Sequence, residues 1–167
     1  GAAEAARLLP PSGPRTLRVA TECLTDPAHR LCEAHGLACV FDEYVMRRDL
    51  RQPLPERPLP PGVTLALWGP ETAAQFFAAY HAAFRERPGF PNPSAQEWID
   101  GVNGNDLLVE ATLLARAGDQ PLGFVLGTAD LTASPTAGYV AQIGVVPTAR
   151  RRGLASALMV AALRQMQ

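Results

Sequence analysis

The residues with the most chemical content lie near the end of the chain, in the run Ile143-Gly144-Val145-Val146-Pro147-Thr148-Ala149-Arg150-Arg151-Arg152-Gly153-Leu154-Ala155-Ser156. An apolar strand stops at a proline, a short basic loop follows, and a helix opens at a glycine. The first turn of a helix leaves several N–H groups without partners, and its dipole makes that end positive. Gly153 and Ala155 are small enough for a phosphate to approach the backbone, and Arg150, Arg151 and Arg152 add charge beside it. That is a physical description of a pyrophosphate cradle. The same residues describe a solvated arginine turn before a core helix about as well, because arginine runs are usually surface. The lysine-dependent GxxxxGK[ST] loop is excluded, since the chain has no lysine and the spacing differs.

Positioning that turn requires a strand before it and a helix after it, and the flanking pattern provides both. Gly138 to Val146 reads as a strand and Leu154 to Met166 as a helix with Leu154, Leu158, Ala161 and Ala162 on its apolar stripe. Upstream, Val63 to Trp68 reads as a strand. Glu71 to Phe84 reads as a helix carrying Phe76, Phe77, Tyr80 and Phe84, and a second helix opens on the capping-box-like Ser94-Ala95-Gln96-Glu97. Leu107 to Ala115 and Pro121 to Thr128 read as a hairpin around Gly118-Asp119-Gln120. The order β-α-α-β-β-β-α implies an α/β sheet with helices on both faces.

Residues 51–61, with five prolines, read as an extended, solvated linker and place a unit boundary there. Before it, Leu17 to Thr21 is a strand candidate. Asp26-Pro27 reads as an N-cap followed by proline, opening a helix through Ala28, Leu31, Cys32 and His35 that ends at Gly36. Val40-Phe41 and Tyr44-Val45-Met46 read as a strand or hairpin pair, closed by Arg47 to Leu50.

The 167 residues are 47% hydrophobic and 19% charged, with a formal net charge of −1, which suits a globular chain with a real core and argues against disorder. The charge balance argues against a dedicated nucleic-acid binder, and no apolar run reaches the ~18 residues of a membrane span. No signal peptide is visible. Three cysteines, Cys23, Cys32 and Cys39, cannot all pair, and neither they nor the three histidines have metal-ligand spacing. The expectation is a reduced, cytoplasmic, metal-free protein.

At Val145, Pro147, Arg150, Gly153 and Ala155 the chain resembles the GNAT family of N-acetyltransferases, whose central signature is V-x-P-x-x-[RQ]-x-x-G-x-[GA]. The resemblance implies acetyl-CoA as cosubstrate and direct transfer of its acetyl group to a primary amine of a small molecule or peptide. Ile143, Gly144 and Val145 would hold the pantetheine arm through backbone groups, like an added strand. Arg151, Arg152, Gly153, Leu154, Ala155 and Ser156 would hold the pyrophosphate through N–H groups, with Arg150 at the loop's start. Val145 would present an N–H to the thioester oxygen. Counting back by the strand period, the same face carries Tyr139 and Ala141, where the family often has a base. Tyr139 would order a water there. The family's general-acid Tyr falls on Cys32.

Thr25, Ala28, Leu31, Cys32, Gly36 and Leu37 resemble, in degenerate form, the part of the family's fold that normally follows the signature helix. The resemblance therefore implies a mixed, mostly antiparallel sheet flanked by helices. Residues 1–50 would be the C-terminal half of one unit, 51–61 a linker, and 62–167 the N-terminal half of another. Two arrangements fit: the middle of a tandem two-domain member, or halves that pair as a permuted domain or swap in a homodimer. Residues 62–167 alone would leave one side of a parallel sheet uncovered. A degenerate, non-catalytic module that holds CoA or serves assembly is the competing function.

Overall fold

The structure is a computed structural model that describes residues 19, 24–40, 46–131 and 137–167. The chain divides into two compact units, Gly1–Met46 and Arg47–Gln167. The division falls after Met46, so Arg47 to Leu50 sit with the second unit rather than closing the first.

In the first unit the described element is α1, Asp26–Ala34. Its N-cap is Thr25, not Asp26: the Thr25 side chain accepts from the Ala28 N–H, and Asp26 lies in the first turn with Pro27. Gly36 has φ +75, the left-handed conformation expected just past a helix end. None of α1's residues is buried, and Leu31 is exposed. Most of the expected strand Leu17 to Thr21, and the central residues of the expected pair around Val40 to Met46, lie outside the described residues.

The second unit runs β1 (Thr64–Leu67), α2 (Ala73–Phe84), α3 (Ala95–Val102), β2 (Leu113–Ala117), β3 (Gln120–Asp130), β4 (Ala137–Val145) and α4 (Leu154–Gln165). The sheet order is β1-β2-β3-β4 and every pairing is antiparallel. This corrects the expectation that the sheet is parallel; the expected open side is present among the described residues, at β4. The two-helix connection returns the chain beside β1 in the opposite direction, and two hairpins do the rest.

Helices cover both faces. Phe76, Ala79, Tyr80 and Trp98 pack on Leu114, Phe124 and Leu126. Leu154, Leu158 and Ala162 pack on Leu113, Ala115 and Val125. The alternation along β2 and β3 divides the two cores. No described strand pairs with the outer edge of β4.

Two expectations change in detail. The strand expected from Leu107 starts at Leu113, after a 3-10 turn over Val109–Ala111. Thr112, fully buried, donates its hydroxyl to the Leu108 carbonyl and accepts from the Gly127 N–H, so a side chain takes the place of ladder bonds. The proline segment has no regular structure, but it does not float free. Arg48 donates to the Pro53 carbonyl, Gln167 donates to the Leu50 carbonyl, and Leu59 packs against the α4-side core. Apolar leucine between prolines makes the segment adhere.

Candidate functional site

The turn between β4 and α4 is built as a short 3-10 helix, Pro147–Ala149, and then three exposed residues, Arg151 to Gly153. Arg151 has φ +63 and Gly153 has φ +79 with ψ 0. Two left-handed residues in so short a span turn successive N–H groups toward one side. Only the glycine adopts this conformation without steric cost, which accounts for Gly153. A Cβ there would meet nothing within 4 Å, so the approach to the backbone is open.

Gly153 is the N-cap of α4 and supplies no side-chain cap, and the first amide to find a backbone acceptor is that of Ala157, which donates to Gly153. The N–H groups of Arg151, Arg152, Gly153, Leu154, Ala155 and Ser156 donate to no described residue. Ala155 and Ser156 are exposed, whereas the Leu154 side chain is buried in the α4-side core, so Leu154 offers its amide alone.

Arg150 departs from the expected role. Its Nε donates to the Val145 carbonyl at 3.1 Å and its Nη2 to the Ala83 carbonyl at 3.0 Å. The guanidinium is therefore engaged by main chain, tying the end of α2 to the end of β4. The free cationic charge beside the turn belongs to Arg151 and Arg152, both exposed.

The register of β4 determines which of its backbone groups face outward. Val146 donates to Leu122, so that pair is hydrogen-bonded, and the neighbouring pair Gly123/Val145 is not. By alternation Val145 and Ile143 direct their N–H and C=O groups to the free edge of β4. Gly144 directs its own into the ladder. Gly144 is thus not a backbone contact for a ligand on that edge, correcting the expectation. Its place is steric: a Cβ there would lie 2.8 Å from the Phe124 ring, 3.0 Å from the Ala83 methyl and 3.1 Å from the Phe84 ring. Glycine lets α2 settle on the strand.

Between Leu126/Gln142 and Gly127/Val140 the register shifts, leaving Ala141 as the extra residue of a bulge. The bulge reverses the alternation. Val140 joins Ile143 and Val145 in the α4-side core, three and five residues apart. Tyr139 therefore does not share their face, as simple counting expects. It pairs with Thr128 and stands on the α2 side with Gln142 and Gly144. Tyr139 is 58% exposed and borders a cavity of about 420 Å³ with Asp106, Thr128 and Asp130. At about 3.3 Å per residue it lies roughly 20 Å along the strand from Val145.

Cys32 lies on α1 in the first unit as a half-buried free thiol. Among the described residues no cluster of three metal-ligating side chains occurs, and no helix is long and apolar enough to cross a membrane. Sequence reasoning missed the Arg150 clamp, the bulge, and two glutamines, Gln75 and Gln142, whose Oε1 atoms are buried without a hydrogen-bond partner. The available signal for Gln142 was one amide in an otherwise apolar strand.

Residues 73–167, more than half of the chain, match the model of the Acetyltransferase (GNAT) family. The chain is 29% identical over 156 residues to a mycothiol acetyltransferase of Nocardioides sp., covering 83% of this chain and 52% of that protein. It spans about half the length of that relative. Its fold is similar to a GCN5-related N-acetyltransferase from Sphaerobacter thermophilus (24% identity, 70% of this chain and 36% of that one, TM-score 0.58). It is also similar to a GNAT family acetyltransferase from Brucella melitensis crystallised with acetyl-CoA (21% identity, 61% and 68%, TM-score 0.51). The strand, the left-handed turn and the helix that follows it all lie inside the matched region, and the chain belongs to the GNAT family of acetyltransferases.

Proposed function

We propose that the chain is an acyl-CoA-dependent N-acyltransferase that moves an acetyl group from acetyl-CoA to a primary amine of a small molecule or peptide. The observation that carries this is the exposed run of unpartnered N–H groups from Arg151 to Ser156, opening onto the first turn of α4. A diphosphate fits it: the amides supply donors, the helix supplies its positive end, and Arg151 and Arg152 supply charge. From there a pantetheine arm runs along the free edge of β4, where Ile143 offers its N–H and C=O and Val145 its N–H, the Val145 carbonyl being held by Arg150. Its acyl end then points toward the bulge at Ala141.

In the reaction the amine lone pair attacks the thioester carbon, the C–S bond breaks, the amine nitrogen gives up a proton, and the thiolate takes one. An outward N–H of β4, from Val145 or Ile143, steadies the charge on the carbonyl oxygen. Tyr139, on the α2 side past the bulge and roughly 20 Å along the strand from Val145, would take the amine's proton only through a chain of waters. Cys32 would act as the acid only if the first unit delivers it to β4. We assign residues 1–50 to the C-terminal half of a family unit and 62–167 to the N-terminal half of another, within one chain of tandem type or between two chains.

Calorimetry with acetyl-CoA tests the reading. The expected result is binding that Gly153→Glu abolishes, because a carboxylate would stand where the diphosphate does. Unchanged binding in that variant overturns the cradle. Binding without thiol release across a panel of primary amines leaves a non-catalytic CoA module instead.

A further inference from the structure

We propose that Arg150 is a positioning residue that sets the register of the acyl-CoA arm on β4; this rests on the reading that an acyl-CoA lies along that edge. The Arg150 Nε donates to the Val145 carbonyl at 3.1 Å. The ladder turns that carbonyl away from β3, and a bond from a side chain past the strand's end agrees. An edge residue takes up an added chain through a pair of groups, its N–H and its C=O. Val145 has only its N–H left for that purpose. Ile143, two residues back, faces the same edge with both groups, and among the described residues no strand pairs with it there. The first full pair that an arm meets on leaving the turn is therefore that of Ile143.

The clamp is anchored at two points. Beyond Val145, the Arg150 Nη2 donates to the Ala83 carbonyl at 3.0 Å. That carbonyl lies in the last turn of α2, where the Arg85 N–H takes the His81 carbonyl and the Arg87 N–H takes that of Phe84. A guanidinium at a helix C-terminus meets the negative end of the dipole. Ala83 in turn lies against Gly144, where a Cβ would come within 3.0 Å of the Ala83 methyl. Packing thus fixes the separation of the two carbonyls, and the planar fork of the arginine spans them. Displacing it from Val145 breaks a charge-assisted bond, roughly twice as strong as the neutral bond that a pantetheine N–H offers in exchange.

Register decides where the acyl group comes to rest. Groups that face one edge recur every second residue, about 7 Å along a strand. An arm paired in full with Val145 would sit one such step nearer the turn than an arm paired with Ile143. Its thioester would stop short of the bulge at Ala141 by that same step. Binding would be kept and the reacting carbon misplaced, a loss that falls on kcat rather than on KM. The guanidinium is spent on main chain, so it acts on the arm through Val145.

The test uses the full chain labelled with carbon-13 and nitrogen-15, titrated with CoA and, separately, with ADP, which has the diphosphate and no arm. Both ligands are expected to move the amide signals of Arg151 to Ser156. CoA alone is expected to move the Ile143 carbonyl signal, and the Val145 carbonyl is expected to stay where it is. In Arg150→Met, which keeps length and loses the donors, CoA is expected to move the Val145 carbonyl as well. Arg150→Leu serves where methionine disturbs folding, and the parent's own pattern is decisive without either variant. A Val145 carbonyl that responds to CoA in the parent, or that stays still in a folded variant, overturns the proposal. So does an Ile143 carbonyl that ignores CoA while the amides of the turn respond. Silence of those amides toward both ligands overturns the acyl-CoA reading itself, and the register with it.

Discussion

Arg150 holds two main-chain carbonyls together, whereas Arg151 and Arg152 keep their charges in solvent beside unpartnered amides. The three arginines should therefore separate experimentally. Arg150→Ala should lower stability by about 1 kcal/mol, the net worth of an exposed hydrogen-bonded clamp, and be seen in urea unfolding. A double Arg151→Ala, Arg152→Ala variant should unfold as the parent does. It should bind acetyl-CoA about tenfold more weakly, with a shallower salt dependence of Kd. Gly144 makes a different residue-scale point. Gly144→Ala puts a methyl 2.8 Å from the Phe124 ring and 3.0 Å from the Ala83 methyl, so it should cost about 1–3 kcal/mol by overpacking. Its backbone N–H and C=O stay in the ladder, and any loss of acetyl-CoA affinity would follow from the shifted α2.

At the scale of elements, α3 owes its start to a full capping box. Ser94 accepts from the Glu97 amide, and the Glu97 carboxylate accepts from the Ser94 amide and hydroxyl. The helix carries Trp98, which stacks on Tyr80 with centroids 4.8 Å apart, so the cap positions one wall of the α2-side core. Ser94→Ala should cost about 1 kcal/mol in thermal or urea unfolding. The bonds from Ser94 also hold the Glu97 carboxyl below its ordinary value of 4.5. A folded-state pKa that is lowered contributes stability present above the unfolded value and lost as pH falls through the folded one. Stability should therefore decline as pH drops below about 4.5, and Ser94→Ala should flatten that decline. Asp49, held down by its bond from Arg51, adds to the same slope.

For the whole molecule, the free edge of β4 and the open turn before α4 have one consequence in common: ligand binding should organise the second unit as a body. Acetyl-CoA at one hundred times its Kd should stabilise the folded chain by about 2.7 kcal/mol, read as a rise in Tm. Gly153→Glu should unfold below the parent's temperature without ligand, because a side chain is strained at φ +79, and show no such rise. The second unit has its own two cores on a single antiparallel sheet, while the described helix of the first buries none of its residues. Apolar side chains such as Leu31 and Met46 are exposed there. On that basis hydrogen exchange should be slow in β2 and β3 and fast throughout α1.

Local chemistry made much of this legible from residues alone. Pro147 ends a strand, Gly153 accepts a left-handed turn, Ser94 with Glu97 starts a helix, and aromatic spacing marks the buried side of α2. Each is a short-range preference that needs no partner elsewhere. The signature from Val145 to Ala155 was readable for the same reason, as contiguous residues in one strand–turn–helix. Tertiary structure decided everything that depends on register or distant neighbours. One extra residue at Ala141 reverses the alternation and moves Tyr139 to the other side of the sheet. Arg150 reaches a carbonyl on α2 that lies 67 residues away in sequence. The strand expected from Leu107 gives way to a turn because the Thr112 hydroxyl finds Gly127 across the sheet. Gly144 lets Ala83 and Phe84 of α2 lie against β4, and no spacing along the chain encodes that.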